Sequence, residues 1–71
     1  MAKKNIKNNI RSLRFHKDEI TQQQLADMVG VSRQTIVAIE KGNYSPSLEL
    51  AFRLAAVFET PIQDVFSYEN N

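Results

Sequence analysis

The chain has 71 residues, no cysteine and a formal net charge of +1. Without cysteine it has neither a disulfide framework nor a thiolate metal site, and no apolar run or leader pattern predicts a membrane span or a signal peptide. We therefore expect one cytoplasmic domain over residues 1–71, whose small core supplies only about 3 to 5 kcal/mol of stability unless association adds more.

Charge is distributed unevenly along the chain. Residues 1–17 carry six basic side chains and no acidic one, whereas residues 18–71 carry three basic and eight acidic side chains. Such an asymmetry favours contact with a polyanion such as nucleic acid. A basic end segment that only improves solubility would produce the same pattern, so charge alone leaves both interpretations open.

The first predicted helix lies near the N-terminus. Three apolar residues have the i, i+4, i+7 spacing of one helix face: Ile6, Ile10 and Leu13. The helix should begin between Asn5 and Asn9 and end near His16. If Asn8 is its N-cap, residues 3–7 are extended.

Two features at the end of this helix and just after it invite a catalytic or metal-binding interpretation, and neither supports one. His16 has no cysteine or second histidine with which to bind a metal, so we expect a solvated surface side chain. Asp18 and Glu19 are neighbouring carboxylates in a polar connection and should also face solvent. No glycine-rich loop and no nucleophile with its base is evident, so we expect neither an enzyme nor a cofactor.

Two short amphipathic segments meet at a glycine within residues 22–41. Apolar residues recur at helical spacing on both sides of it: Leu25, Ala26 and Val29 before, Ile36 and Ile39 after. Thr21 opens a T-x-x-Q capping box, and Ser32 is a good N-cap for the second segment. Gly30 can adopt the left-handed conformation that ends a helix. The pattern predicts a helix-turn-helix with a turn of about three residues.

A cluster of turn-forming residues, 42–47, ends this motif. Either Ser45 or Ser47 caps a fourth helix, and Pro46 lies in its first turn if Ser45 is the cap. A wide apolar stripe follows at helical spacing: Leu48, Leu50, Ala51, Leu54, Ala55 and Phe58. Phe52 lies off the centre of the stripe, as does Val57; these two either pack against the first helix, which we favour, or form a partner surface.

A second T-x-x-Q box, at residues 60–63, predicts a short fifth helix that ends near Phe66. Val65, Phe66 and Tyr68 then crowd apolar surface into a chain end that is usually polar. They either fold back on the first helix or meet the same residues of a second copy, and we favour the second copy.

The run from residue 9 to 66 resembles the Cro/cI-type, or XRE, family of helix-turn-helix regulators. The matching positions are Ala26, Gly30, Val31, Ile36 and Ile39, followed by the fourth helix. The resemblance implies an all-α, compact five-helix, lambda-repressor-like domain with the motif at helices 2 and 3. The short members, similar to the cytolysin repressor, also imply a two-stranded sheet from the chain ends. They pair through a C-terminal segment, here residues 61–68: Pro61, Ile62, Val65, Phe66 and Tyr68.

The resemblance also assigns DNA contacts. A recognition helix enters the major groove by its N-terminal end, where side chains meet base edges. The base-contacting positions would be Arg33, Gln34, Thr35 and Ala38. Other residues would contact the DNA backbone, which sets register and affinity: Gln22, Ser32, Lys41, Asn43 and Tyr44.

These features predict a homodimeric transcriptional repressor that binds double-stranded DNA at an inverted-repeat operator and occludes a promoter. No small-molecule effector and no membrane association is evident from the sequence. The alternative is an antitoxin-like or other protein-partner module whose DNA binding is secondary. A stable heteromeric complex on purification would distinguish that module from a homodimeric regulator.

Overall fold

The computed structural model describes residues 6–69. Five helices and two strands follow one another as β1 (Ile6–Asn8), α1 (Ile10–His16), α2 (Gln22–Val29), α3 (Arg33–Glu40), α4 (Leu48–Phe58), α5 (Ile62–Val65) and β2 (Phe66–Tyr68). The predicted five-helix fold, with its helix-turn-helix at α2 and α3, is confirmed. No helix within the described residues is long and apolar enough to span a membrane.

The predicted two-stranded sheet is also confirmed. β1 and β2 pair antiparallel, with Ile6 opposite Tyr68 and Asn8 opposite Phe66. Ile6 therefore lies in a strand, and its assignment to the face of the first helix is wrong. Pairing with β2 gives the backbone of β1 hydrogen-bond partners, which helical spacing in the sequence cannot anticipate.

α1 begins at Ile10, with Asn9 in the N-cap position. Asn8 is not the N-cap, but its Oδ1 accepts a hydrogen bond of 3.1 Å from the backbone N–H of Ile10. The side chain thus satisfies one of the free amides at the helix start, as a capping residue does. Part of the predicted extended segment, residues 3–5, lies outside the described residues.

Side-chain caps define both helices of the motif. The Gln24 N–H donates to Thr21 Oγ1 at 3.0 Å, and the Thr21 N–H donates to Gln24 Oε1 at 2.8 Å, which completes the predicted capping box. Gly30 ends α2 in the left-handed conformation, with φ 78° and ψ 33°. Ser32 Oγ then accepts from the Thr35 N–H at 3.2 Å and starts α3. Local signals therefore determine the turn of the motif.

Gly30→Val should lower the free energy of unfolding by more than the roughly 1 to 2 kcal/mol that a left-handed conformation costs other residues, because β-branched residues are least tolerant of positive φ. A Cβ at this position would lie 3.7 Å from Nη1 of Arg53, an ordinary contact, so the cost comes from the backbone. Gly30→Asn is the control, since asparagine visits this conformation. Urea unfolding that ranks valine no worse than asparagine would contradict this explanation.

α4 begins one residue after Ser47, whose Oγ accepts a hydrogen bond of 3.1 Å from the Leu50 N–H. Ser47 is therefore the cap, and Pro46 precedes the helix. Most of the predicted stripe is buried, but Leu48 is 71% exposed, so its place in the stripe is wrong. Leu48 is the first residue of α4 and precedes the helical turns of α4 that pack against the helix-turn-helix.

The two off-centre apolar residues of α4 have different environments. Val57 is half-buried and packs against the core. Phe52 is 54% exposed, so the favoured prediction that it packs against the first helix is wrong.

The second predicted capping box does not form. α5 begins at Ile62, with Pro61 in the N-cap position and no side-chain cap. Thr60 instead directs its hydroxyl to the end of the preceding helix, where Oγ1 donates to the Phe58 carbonyl at 2.8 Å. Glu59 ends α4 in the left-handed conformation, with φ 52°. This turn places the Thr60 hydroxyl against the last turn of α4, so it does not cap α5.

All five helices contribute to one hydrophobic core. Its largest fully buried side chains are Ile10, Leu25, Ile36, Ile39, Leu54 and Val65. Within the described residues, every buried side-chain nitrogen and oxygen has a hydrogen-bond partner. The core holds α3 by its inward residues and leaves the opposite face of that helix at the surface.

Candidate nucleic-acid interface

α3 has one buried face and one exposed face. Ile36 is 0% exposed and Ile39 is 1% exposed, so the core fixes the helix along this side. Arg33 and Gln34 lie in its first turn and are exposed. Their guanidinium and carboxamide groups are therefore accessible at the N-terminal end of the helix, the end that enters a major groove in helix-turn-helix proteins.

The other two predicted base-contacting residues offer mainly apolar groups. Thr35 is half-buried, and its Oγ1 lies 3.0 Å from Oγ of Ser32. Because its hydroxyl has this partner, the methyl group is the part of Thr35 best suited to meet a base. Ala38 is half-buried one helical turn further along α3. Ser32 itself is exposed, but its hydroxyl already serves as the N-cap of α3.

The predicted backbone-contacting residues surround this helix. Lys41, Asn43 and Tyr44 are exposed in the segment that follows α3. Gln22, at the first position of α2, is half-buried, and its Nε2 donates to Oε1 of Glu40 at 3.1 Å. The fold thus joins the start of α2 to the end of α3, next to Lys41.

An ion pair that the sequence analysis missed underlies this junction. Arg14 Nε donates to Glu40 Oε2 at 2.7 Å, and Arg14 Nη2 donates to Glu40 Oε1 at 3.2 Å. Its Nη1 donates to the Ile20 carbonyl at 3.0 Å. The two charged side chains are only 16% and 9% exposed. The sequence contains one sign that Arg14 is buried: it follows Ile10 by four residues and so shares the inward face of α1.

Ion pairs change the meaning of the charge asymmetry. Lys7 pairs with Glu69 at 3.0 Å beside the sheet, and Arg14 is held by the ion pair just described. Within residues 6–69, no salt bridge involves Arg33 or Lys41. Two of the N-terminal basic residues, Lys7 and Arg14, therefore already have carboxylate partners. The cations available to an anionic ligand include Arg33 on α3 and Lys41 just after it.

The predicted pairing segment is only partly at the surface. Pro61 is exposed, Ile62 and Phe66 are half-buried, and Tyr68 is 64% exposed. Val65 is 0% exposed and belongs to the core, so its predicted place in a partner surface is wrong. The short helix α5 directs Val65 inward, and this direction depends on tertiary packing.

An apolar groove, which we call the C-terminal groove, lies beside this segment. Its lining residues come from both ends of the described chain, from α4 and from the connection before α4: Ile6, Ser45, Pro46, Leu48, Ala51, Ile62 and Phe66. Ile6 and Leu48 are exposed apolar residues, although their spacing in the sequence predicts the inward faces of the first and fourth helices. Their exposure beside Ile62 and Phe66 extends the apolar surface well beyond the predicted segment.

The residues considered for catalysis lie at the surface. His16 is exposed, and its Nδ1 lies 2.8 Å from the Ser12 carbonyl oxygen. Asp18 and Glu19 are also exposed, and both have positive φ, 56° and 53°, in the turn between α1 and α2. Within residues 6–69, no three histidine, cysteine or acidic side chains are grouped so as to hold a metal ion.

Comparison with known proteins agrees with this geometry. A family model described as helix-turn-helix matches residues 10–65. A helix-turn-helix transcriptional regulator of Methanocaldococcus jannaschii is 58% identical over 52 residues, which are 73% of this chain and 79% of that protein. The regulator YgzD of Bacillus subtilis is 44% identical over 64 residues, 90% of this chain and 96% of YgzD. The phage CTXphi transcriptional repressor RstR of Vibrio cholerae is 40% identical over 58 residues, 82% of this chain and 51% of RstR.

Proposed function

The chain belongs to the XRE family of helix-turn-helix transcriptional regulators, and we propose that it is a cytoplasmic repressor that binds an inverted-repeat operator as a homodimer. One observation carries this proposal. The buried face of α3 fixes the helix in the fold, while Arg33 and Gln34 are exposed at its N-terminal end. Similarity to RstR, described as a transcriptional repressor, supports repression. Repression would follow from covering a promoter.

Base recognition is assigned to the exposed face of α3. Arg33 can donate two hydrogen bonds to O6 and N7 of guanine, and Gln34 can pair with N6 and N7 of adenine. The methyl groups of Thr35 and Ala38 suit the methyl group of thymine. Arg33, Gln34 and Thr35 form the first turn of α3, and Ala38 lies one turn further along, so they would read neighbouring base pairs in one half-site.

Contacts with phosphate are assigned to the residues on either side of that face. The first turn of α2, at Gln22, presents free backbone amides, and a helix N-terminus favours an anion. Ser32, Lys41, Asn43 and Tyr44 border α3 at its two ends. Phosphate contacts would set the position of the helix in the groove, and Lys41 would make part of the affinity dependent on salt.

A second copy of the chain is the proposed occupant of the C-terminal groove. The short members of the family pair through this end, and here the exposed Ile6 and Leu48 line the groove together with Ile62 and Phe66. Tyr68 is exposed opposite Ile6 in the sheet, and Pro61 is exposed next to Ile62 in the chain. Two copies related by a twofold axis would present their recognition helices to successive major grooves about 34 Å apart. The operator would then be an inverted repeat.

Leu48→Glu should convert the dimer to a monomer at micromolar concentration, because a charge placed in an apolar contact must be desolvated. Leu48 is 71% exposed in the protomer, so the substitution should leave folding intact. Phe52→Glu is the matched control: it makes the same kind of change on α4 at a residue that is 54% exposed and does not line the groove. Sedimentation that finds all three proteins dimeric, or the unchanged chain monomeric, would remove the groove as the dimer contact.

Selection of bound sequences from a random pool of DNA duplexes tests the function as a whole. A homodimeric regulator should enrich inverted repeats with one preferred distance between half-sites. Enrichment of single, unrepeated sites would contradict the dimer, and no enrichment would contradict sequence-specific binding.

A further inference from the structure

One side chain connects the paired chain ends to the recognition helix. Asn8 belongs to β1, and its backbone lies opposite Phe66 of β2. Its Nδ2 donates a hydrogen bond of 2.9 Å to the carbonyl of Ile39 in α3. Its Oδ1 accepts from the Ile10 N–H at the start of α1. Asn8 therefore contacts α1, which follows it directly, and two elements that are distant in sequence, α3 and β2.

The bond to α3 is made at a specific place. Ile39 lies in the last turn of α3, where carbonyl groups lack partners within the helix. The same carbonyl also accepts the Gly42 N–H at 2.9 Å. The carboxamide of Asn8 has a defined orientation, because its oxygen faces a donor and its nitrogen faces an acceptor. The contact thus fixes the C-terminal end of the recognition helix against the sheet.

Apolar packing between the sheet and α3 is incomplete at this point. A cavity of about 20 Å³, room for one water molecule, lies among residues of β1, β2 and the α3–α4 connection, and Asn8 and Ile39 form part of its wall. A gap in the packing leaves less contact to hold the sheet and α3 at one angle. The hydrogen bond of Asn8 crosses the same junction and supplies a directional constraint.

We propose that Asn8 is a positioning residue that fixes the angle between the recognition helix and the pairing surface, and so sets the half-site spacing that the dimer accepts. This inference rests on the homodimer proposed above: the C-terminal groove includes residues of β1 and β2, and Asn8 joins this sheet directly to the end of α3. The operator changes by about 3.4 Å for each added base pair. A rigid junction would reject such a change, whereas a loosened junction would let the two helices adjust.

Asn8→Asp isolates the bond to α3. The carboxylate can still accept from the Ile10 N–H, but it cannot donate to the Ile39 carbonyl at neutral pH. Asn9→Asp is the matched control, because it adds the same charge at the next residue and removes an exposed hydrogen bond from Asn9 Nδ2 to the Asp64 carbonyl, 2.9 Å long. That bond joins α1 to α5 and does not involve α3.

The measurement is affinity for a series of operators whose half-sites are moved by one or two base pairs in either direction, at one salt concentration. The unchanged chain and Asn9→Asp should bind the preferred spacing at least about tenfold more tightly than its neighbours. In Asn8→Asp this preference should fall by roughly three- to tenfold, the effect expected from the loss of one hydrogen bond. A general loss of stability would weaken binding to every spacing equally.

Asn8→Ser provides a second, neutral test. Its hydroxyl can accept from the Ile10 N–H, but it is too short to reach the carbonyl of Ile39, so it should flatten the same spacing profile. If either folded Asn8 variant keeps the spacing profile of the unchanged chain, the role of Asn8 is overturned while the dimer stands. If the unchanged chain shows no spacing preference, the dimeric operator is wrong and this inference falls with it.

Discussion

Arg33→Ala should weaken binding to the preferred operator by about 2 to 6 kcal/mol, because a bidentate base contact contributes roughly 1 to 3 kcal/mol and the dimer would make it in both half-sites. Affinity for random duplex should fall much less, since only the attraction of a surface charge is lost there. The preference for guanine should relax at one position of each half-site. Fluorescence anisotropy with both duplexes at one salt concentration measures the difference.

Lys41→Ala is the matched control for this change. It also removes one cation that is exposed and has no salt bridge within the described residues, but at the C-cap of α3 rather than in its first turn. As a phosphate contact, Lys41 should affect all sequences about equally, and its loss should reduce the slope of affinity against salt by roughly one counterion per half-site. If Arg33→Ala and Lys41→Ala gave the same ratio of operator to random affinity, Arg33 would have no role in reading bases.

Glu40→Ala should lower the free energy of unfolding by about 3 kcal/mol or more, because it leaves the guanidinium of Arg14 partly buried without its carboxylate. The amide of Gln22 loses an acceptor at the same time. A loss of this size is comparable with the whole stability expected of so small a core. We therefore expect the variant to be largely unfolded near physiological temperature and, for that reason, unable to bind DNA.

The chain contains a suitable comparison for that result. Glu49 pairs with Arg53 at the same 2.7 Å distance, but these side chains are 75% and 54% exposed and lie four residues apart on α4. Glu49→Ala should therefore cost only about 0.3 to 0.5 kcal/mol. Thermal or urea unfolding of the two variants tests the contrast directly. Equal losses of stability would show that burial of the Arg14–Glu40 pair does not increase its contribution to the free energy of unfolding.

The helix-turn-helix is the part of the fold that the sequence predicts best, because its signals are local. The box at Thr21, the cap at Ser32 and the left-handed Gly30 each act within a few residues. The same T-x-x-Q spacing at Thr60 fails, although the residue types are identical. There the preceding helix, α4, ends at Glu59, and the Thr60 hydroxyl donates a hydrogen bond to the last turn of α4. Whether such a threonine caps the helix that follows it or bonds to the helix before it depends on the path of the chain.

Other errors have a different origin, since they concern which side chains the folded chain covers. Val65 and Leu48 are both apolar, but α5 turns Val65 into the core while Leu48 starts α4 at the surface. In the sequence Arg14 is one of six basic residues near the N-terminus, whereas in the fold it pairs with Glu40 of α3. These outcomes depend on contacts between residues that are distant in sequence. For the same reason, composition and spacing cannot reveal the link between Asn8 and Ile39.

The most direct test of base reading by α3 is a paired selection from one random duplex pool with the unchanged chain and Gln34→Ala. Gln34 is exposed, carries no charge and is not a cap, so its loss should change neither folding nor general attraction to DNA. We expect both proteins to enrich the same inverted repeat at the same spacing, with the adenine preference relaxed at one position of each half-site in the variant. Identical preference at every position, or an equal loss of affinity for operator and random duplex, would contradict the orientation of α3 proposed here.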